Sequence, residues 1–269
     1  MSLDNFIPEI WSGELLVAFR KAHVFAPLVN RNYEGDVRDK GDVVRITTPA
    51  PIAVNAYSGT VTYETPLSAQ QSLLIDQDYY WAFDIDDLEK VQANVDLVRP
   101  YMEEAGYALA DTVDKNIAAL YTASGLSDTA LTIGTSADNY PAYVTAAQKL
   151  DEANVPRTGR WVVISPAGYG ALLKTAQFTA ATALGDAVIR TGAVGQIAGF
   201  NVYVSNNLTL DTTRKYMYGA NSAITFALQH SMVEPVRREG SFKDAVRGRH
   251  VWGRKVVRPS ALGVISATE

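Results

Sequence analysis

Carboxylates crowd the stretch DQDYYWAFDIDDLEK (residues 76–90), where Asp84, Asp86, Asp87 and Glu89 are close enough to hold a divalent cation or to act as an acid–base pair. A calcium loop of the helix–loop–helix kind also needs a glycine at its sharp turn, and none follows here. Asp111 and Asp114 stand one turn apart in a helical pattern, but Lys115 adjoins them and no electrophile is nearby; a solvated helix face accounts for them. His23, His230 and His250 are far apart and have no helical metal-binding spacing. The sequence contains neither a G-x-S-x-G nucleophile elbow nor a phosphate-cradling Walker loop. Gly192, Gly195 and Gly199 precede a strand instead of opening a helix, so they read as turn residues and not as a dinucleotide fingerprint. The absence of cysteine removes disulfides, zinc–thiolate sites and thiol catalysis together. No catalytic, cofactor-binding or metal-ligating residue is assigned, and no cofactor is expected.

Two further motifs have a chemical and a plain reading. Residues 237–258 (RREGSFKDAVRGRHVWGRKVVR) carry eight Lys/Arg against Glu239 and Asp244, within a chain of net charge −5. Such a segment can contact phosphate, but its alternation with Val246, Val251, Trp252, Val256 and Val257 also suits strands whose exposed sides form ion pairs. Asn207-Leu208-Thr209 fits a glycosylation pattern, but the opening MSLDNFIPEIWSG has no basic start and no continuous apolar run to serve as a secretion signal. No segment is long and apolar enough to span a bilayer. With 47% apolar and 20% charged residues, the 269-residue chain has a globular composition and can bury one large core or two intimate ones.

The elements that must position these residues follow from periodicity. Residues 1–40 form an N-terminal arm with a short amphipathic piece from Glu14 to Ala22. GDVVRITTP reads as a strand, with Val44 and Ile46 on one face and Arg45 and Thr47 on the other. Residues 50–72 mix strand formers with Pro51, Gly59 and Pro66 and lack apolar content for a core, so they form a two-stranded excursion that must rest on something else. Counting in twos from Leu73 places Leu73, Ile75, Tyr79, Trp81, Phe83 and Ile85 on one face of a strand, with Asp76, Asp78, Asp84 and Asp86 on the other.

A helical stripe follows at Val98, Met102, Ala105, Leu109, Val113, Ile117 and Leu120, with Asp96 as N-cap and Pro100 in the first turn. Run to Tyr121, it would be roughly 39 Å long at about 1.5 Å per residue. Gly125 to Asn139 reads as a passage between subdomains, PAYVTAAQKLDEANVP as a helix ended by Pro156, and RWVVIS as a buried strand. Ser165-Pro166 supplies an N-cap and a first-turn proline for a helix through Leu173. Residues 175–195 read as a loop, GFNVYVSNN as a strand, and everything from Tyr216 onward as strands.

In that order of elements, FIPEIWSGELL, GDVVRI, LLIDQDYYWAFDIDD, VPRTGRWVVISPAGYGALL and GFNVYVSNNL resemble the corresponding stretches of tailed-bacteriophage major capsid proteins. The resemblance covers nearly the whole chain. It implies the α+β Hong Kong 97-type fold: an N-terminal arm (1–40), then 41–125 with an extended loop at about 48–74 and a peripheral-domain strand and spine helix at about 96–121. An axial domain at 126–228 and peripheral return strands at 229–269 would complete it. The ringed face of residues 73–85 would then pack beneath the spine helix, with its acids facing solvent or a neighbour.

The function so implied is that of a non-enzymatic shell subunit assembling with itself, as hexamers and pentamers, into an icosahedral head around double-stranded DNA. Its place would be the virion capsid, assembled in the bacterial host cytoplasm, with a portal, non-specific DNA contact and no membrane as its setting. The alternatives are an encapsulin-like compartment shell and a soluble carboxylate-dependent hydrolase. Only about forty residues precede the first strand, so a separate scaffolding protein is expected, with the mature chain starting at Met1 or Ser2. The sequence departs from relatives that crosslink through a loop lysine, because no lysine occurs between Lys40 and Lys90.

Overall fold

The computed structural model describes residues 23–33, 43–49, scattered positions from 52 to 63, 68–86, 98–133, 139–174, 195–238, 240 and 243–269. The amphipathic piece at Glu14–Ala22, the proposed N-cap Asp96 and the loop at 175–194 lie outside them.

Three sheets organise the chain. β1 (Val43–Pro49) and β2 (Ser68–Leu74) form an antiparallel ribbon of seven residue pairs, from Val43 opposite Leu74 to Pro49 opposite Ser68. β3 (Gln77–Asp86), β10 (Lys243–Val256) and β9 (Ile224–Arg237) form an antiparallel sheet in the order β3-β10-β9. The third sheet has six strands in the order β4-β11-β8-β5-β7-β6: β4 (Thr129–Thr132), β5 (Arg160–Ile164), β6 (Gln196–Ile197), β7 (Phe200–Val204), β8 (Arg214–Ala220) and β11 (Leu262–Thr268). Among the described residues four α-helices accompany them: α1 (Phe25–Leu28), α2 (Val98–Ala118, continued as a 3-10 turn to Ala123), α3 (Asn139–Glu152) and α4 (Pro166–Lys174).

The main core lies around the six-stranded sheet. β5 is buried along its whole length, as a strand covered on both faces must be. Tyr143, Ala146 and Leu150 of α3, Leu172 of α4 and Ile117 of α2 close over it. The α2 stripe is in the predicted phase, with Ile117 fully buried while Leu109, Val113 and Leu120 pack more loosely. Ser165 caps α4 as expected, its Oγ accepting the Gly168 N–H at 3.0 Å. A second, smaller cluster of Val44, Ile46, Leu73, Ile75, Ala227, Val251 and Val257 joins the β1–β2 ribbon to the β9–β10 hairpin. Lys255 Nζ and Gln71 Nε2 add bonds across that junction, to the carbonyls of Ser72 at 2.8 Å and Val257 at 3.2 Å. The ribbon at the base of the excursion thus rests on the hairpin.

Five expectations are corrected. The strand read through residues 73–85 is two strands in two sheets, broken at Ile75 and Asp76; the alternation keeps phase across the break, which hides it from a period count. The passage at 125–139 contains β4, an edge strand parallel to β11. The final stretch, 229–269, divides: β9 and β10 belong to the three-stranded sheet, whereas β11 inserts between β4 and β8. Part of the N-terminal arm is core, since Val24, Phe25, Leu28 and Val29 are buried and Asn30 bridges Thr225. Finally, Asp114 faces no solvent at all. It accepts hydrogen bonds from the backbone of Val24 and Phe25.

Candidate assembly surface

Beyond the β1–β2 ribbon, the chain exposes apolar side chains that no part of its own core covers. Ile52, Val54, Tyr57 and Tyr63 are 74%, 97%, 78% and 91% exposed, and Val43 and Leu74 continue the exposed set onto the ribbon. Scattered apolar surface is ordinary, but four such side chains between residues 52 and 63 mark a candidate contact surface.

The sheet from which the ribbon rises has two unlike faces. On one, Tyr79 stacks on Trp252 with centroids 4.9 Å apart, Trp81 on Phe83 at 5.8 Å, and Phe83 meets Tyr101 of α2 at 5.7 Å. Asn116 of α2 donates to the Tyr79 hydroxyl at 3.2 Å, so the ringed face does lie against the helix. Gly248 is required opposite Trp81, because a Cβ there would fall 2.3 Å from the indole. The other face carries charge. Asp78 binds Arg249 through both carboxylate oxygens (2.9 and 2.7 Å), Glu234 binds Arg247 at 2.8 Å, and Asp84 binds Arg238 at 2.6 Å. Tyr80, Ala82, Glu234, Arg247, Gly248 and Arg249 line a groove of about 540 Å³. With Arg237 held by Asp244 at 2.7 Å, four arginines of the basic segment are paired within the chain, which favours the ion-pair reading of residues 237–258. Being exposed, these pairs neutralise charge and hold register more than they stabilise the fold.

The six-stranded sheet carries a polar cluster that sequence reasoning missed. Ser165 Oγ at the end of β5 lies 2.7 Å from the Tyr216 hydroxyl of β8, and both hydroxyls donate to Glu269, which follows β11. Arg214 completes it, its Nε 2.9 Å from the second carboxylate oxygen. One carboxylate thereby ties three adjacent strands to the cap of α4. Burial alone would raise the Glu269 pKa, but the donors Ser165, Tyr216 and Arg214 outweigh it and hold the carboxyl below its ordinary value. Burial pushes the Tyr216 hydroxyl well above the usual phenol range. A depressed carboxyl pKa contributes stability that is present above the ordinary value of 4.5 and is lost as the pH falls through the lower folded value. Glu269→Gln is therefore expected to cost about 1–2 kcal/mol at pH 7 and to flatten the acid limb of stability. Denaturant titrations from pH 7 to pH 3 check this; superposable profiles for variant and parent would contradict it.

Among the described residues, those with chemical potential do not converge on a site. Among the described residues no group of three or more His, Asp or Glu is placed to hold a metal ion. Asp84 is taken by Arg238, whereas Asp87, Glu89 and the side chains of Asp86 and His230 lie outside the described residues. Asp111 pairs with Lys115 at 2.6 Å, whereas Asp114 is taken by the amides of Val24 and Phe25. His23 lies against Tyr107, with centroids 5.0 Å apart, and His250 sits on β10 opposite Tyr79. Gly199, with φ +85°, makes the tight β6–β7 turn beside Ala198, and Gly195 precedes β6; Gly192 is not among the described residues. Asn207 is 5% exposed and donates to Asp114 at 3.4 Å, which leaves no accessible amide for a glycan.

Comparison with known proteins agrees with this picture of a surface made for contact. A family model described as phage capsid protein matches residues 81–265. A solved structure from Mycobacterium phage Che8 is 33% identical, covers 98% of both chains and superposes with a TM-score of 0.85. The capsid structure of cyanophage P-SCSP1u, 21% identical over 99% of this chain and 94% of that one, gives 0.82, and the mature capsid of bacteriophage PhiM1, 13% identical over 97% and 92%, gives 0.73. No curated protein matches the sequence. The chain belongs to the phage capsid protein family and is a structural major capsid protein of the tailed-phage, Hong Kong 97-type fold.

Proposed function

We propose that this subunit assembles with copies of itself, as hexamers and pentamers, into an icosahedral head that encloses double-stranded DNA, and that it has no enzymatic role. The observation that carries the proposal is the exposed apolar run at Ile52, Val54, Tyr57 and Tyr63, raised on a ribbon bonded firmly to the rest of the subunit. In a free monomer these side chains stay wet; over a neighbouring subunit they are buried. Residues 48–74 act as the extended loop, and α2 with the β3-β10-β9 sheet as the peripheral domain. The six-stranded sheet with α3 and α4 acts as the axial domain, including β11 although it comes last in the chain. Assembly takes place in the bacterial host cytoplasm, with a separate scaffolding protein and a portal. DNA contact is non-specific, since so much of the basic segment is spent on internal pairs.

The shell is held without covalent links. Arg45 is the one cation between Lys40 and Lys90, and a guanidinium that stays protonated is not a useful nucleophile. Particles boiled in detergent without reductant should release a single band near the chain mass of 29.2 kDa. A ladder of covalent multimers would overturn the non-covalent shell. The same particles, treated with nuclease before lysis, should yield protected double-stranded DNA; an enclosed enzyme in its place would identify a cargo compartment instead.

A further inference from the structure

Trp252 and Arg254 stand two residues apart on one face of β10. The residues between and beside them face the other way: Val251 joins the cluster under the ribbon, a Cβ at Gly253 would fall 2.5 Å from the Leu74 carbonyl oxygen, and Lys255 binds Ser72. The Trp252 face turns instead to the main core, which takes in Trp252, Val256 and Phe226, the cross-strand partner of Arg254. Both side chains carry a buried donor without a hydrogen-bond partner among the described residues, the Trp252 Nε1–H and the Arg254 Nη1. An orphaned buried donor is costly, and a charged one more so.

The charges nearby leave Arg254 unmatched. Arg237, Arg238, Arg247 and Arg249 of the same basic segment each hold a carboxylate within 2.8 Å, whereas Arg254 has no such partner among the described residues. Asp76 and Tyr79 are the titratable groups that act on it, and they fall short: burial holds the Arg254 pKa below its ordinary value. Tyr79 also stacks on the Trp252 indole at 4.9 Å, so one ring adjoins both orphaned donors, and its hydroxyl is already taken by Asn116. Arg31 adds a second guanidinium, its Cζ 5.8 Å above the centre of the Phe226 ring. A buried water satisfies a donor but brings no charge. Trp252 has none of its surface exposed, which restricts the acceptor to a small ion.

We propose that the Trp252 Nε1–H and the Arg254 Nη1 form a binding site for one small monovalent anion of the halide class, with chloride as the natural occupant, which accepts both donors and offsets the arginine charge. The site belongs to the single subunit and does not depend on the shell reading. Chloride is the probe, and gluconate at the same ionic strength, an anion too bulky for a buried site, is the control. With chloride at about ten times its dissociation constant, the unassembled full-length subunit should melt about 2–5 °C higher than in gluconate, and the response should saturate. Trp252→Phe keeps a ring against Tyr79 and removes the N–H, whereas Arg254→Met keeps the apolar stem and removes the charge; each should erase the chloride difference. Equal melting of the parent in both salts would mean that buried water alone meets the donors. Variants that respond to chloride as the parent does would mean an adventitious ion elsewhere. Either result overturns the site. If a variant does not fold, NMR of the unaltered subunit decides: the Trp252 indole N–H resonance should shift saturably with chloride and stay fixed in gluconate, and no shift with chloride would equally overturn it.

Discussion

A chain whose residues 50–67 are replaced by Asn-Gly is expected to fold and to form no closed shells. The register makes the deletion clean, because Pro49 lies directly opposite Ser68 and a two-residue turn can join them with all seven ribbon pairs intact. The residues removed include Ile52, Val54, Tyr57 and Tyr63, whose exposure shows that they contribute nothing to the monomer's core. The melting temperature of the isolated subunit should therefore move by no more than a few °C, as for a change within about 1 kcal/mol. Sedimentation should find subunits or small oligomers where the parent gives particles. Normal shells from this variant would remove the loop from the account of assembly.

Trp161→Ala should have the opposite profile, lost stability of the subunit itself and not merely lost assembly. Trp161 is 1% exposed at the middle of the six-stranded sheet, paired with Gly219 on one side and Asn201 on the other, and it receives the edge of Phe25 from the arm. Removing a buried indole costs about 3–5 kcal/mol in transfer and cavity terms, of the order of a third or more of a typical domain's stability. Denaturant unfolding should show the midpoint falling with the slope unchanged. A loss below about 1 kcal/mol would mean that this sheet is not the centre of the fold.

What the sequence reveals and what it hides divide along the range of the interactions involved. Ser165-Pro166 forecasts the start of α4 because a cap acts within three residues. The stripe from Val98 to Leu120 forecasts α2 because periodicity is a local property. The break at Ile75–Asp76 is invisible for the same reason: Leu73 and Ile75 continue into Tyr79 and Trp81 in unbroken phase, and only the change of partner, from β1 to β10, separates the two strands. Asp114 reads as solvated because the amides that bury it are about ninety residues away. The Glu269 cluster gathers residues from the ends of three strands, and no spacing in the chain announces it. The acids of β3 do face solvent, as Asp78 and Asp84 show, and there they also pair with Arg249 on β10 and Arg238 just past β9, partners that the charge of residues 237–258 foreshadowed without naming.

The assembly claim meets its most direct test in electron microscopy of the expressed chain, alone and together with a scaffolding protein, after nuclease treatment. The account predicts closed shells of uniform diameter with icosahedral symmetry, their wall density fitting this subunit with the β1–β2 ribbon laid over an adjacent copy. A small soluble oligomer under every condition, with the ribbon free of any neighbour, would contradict it.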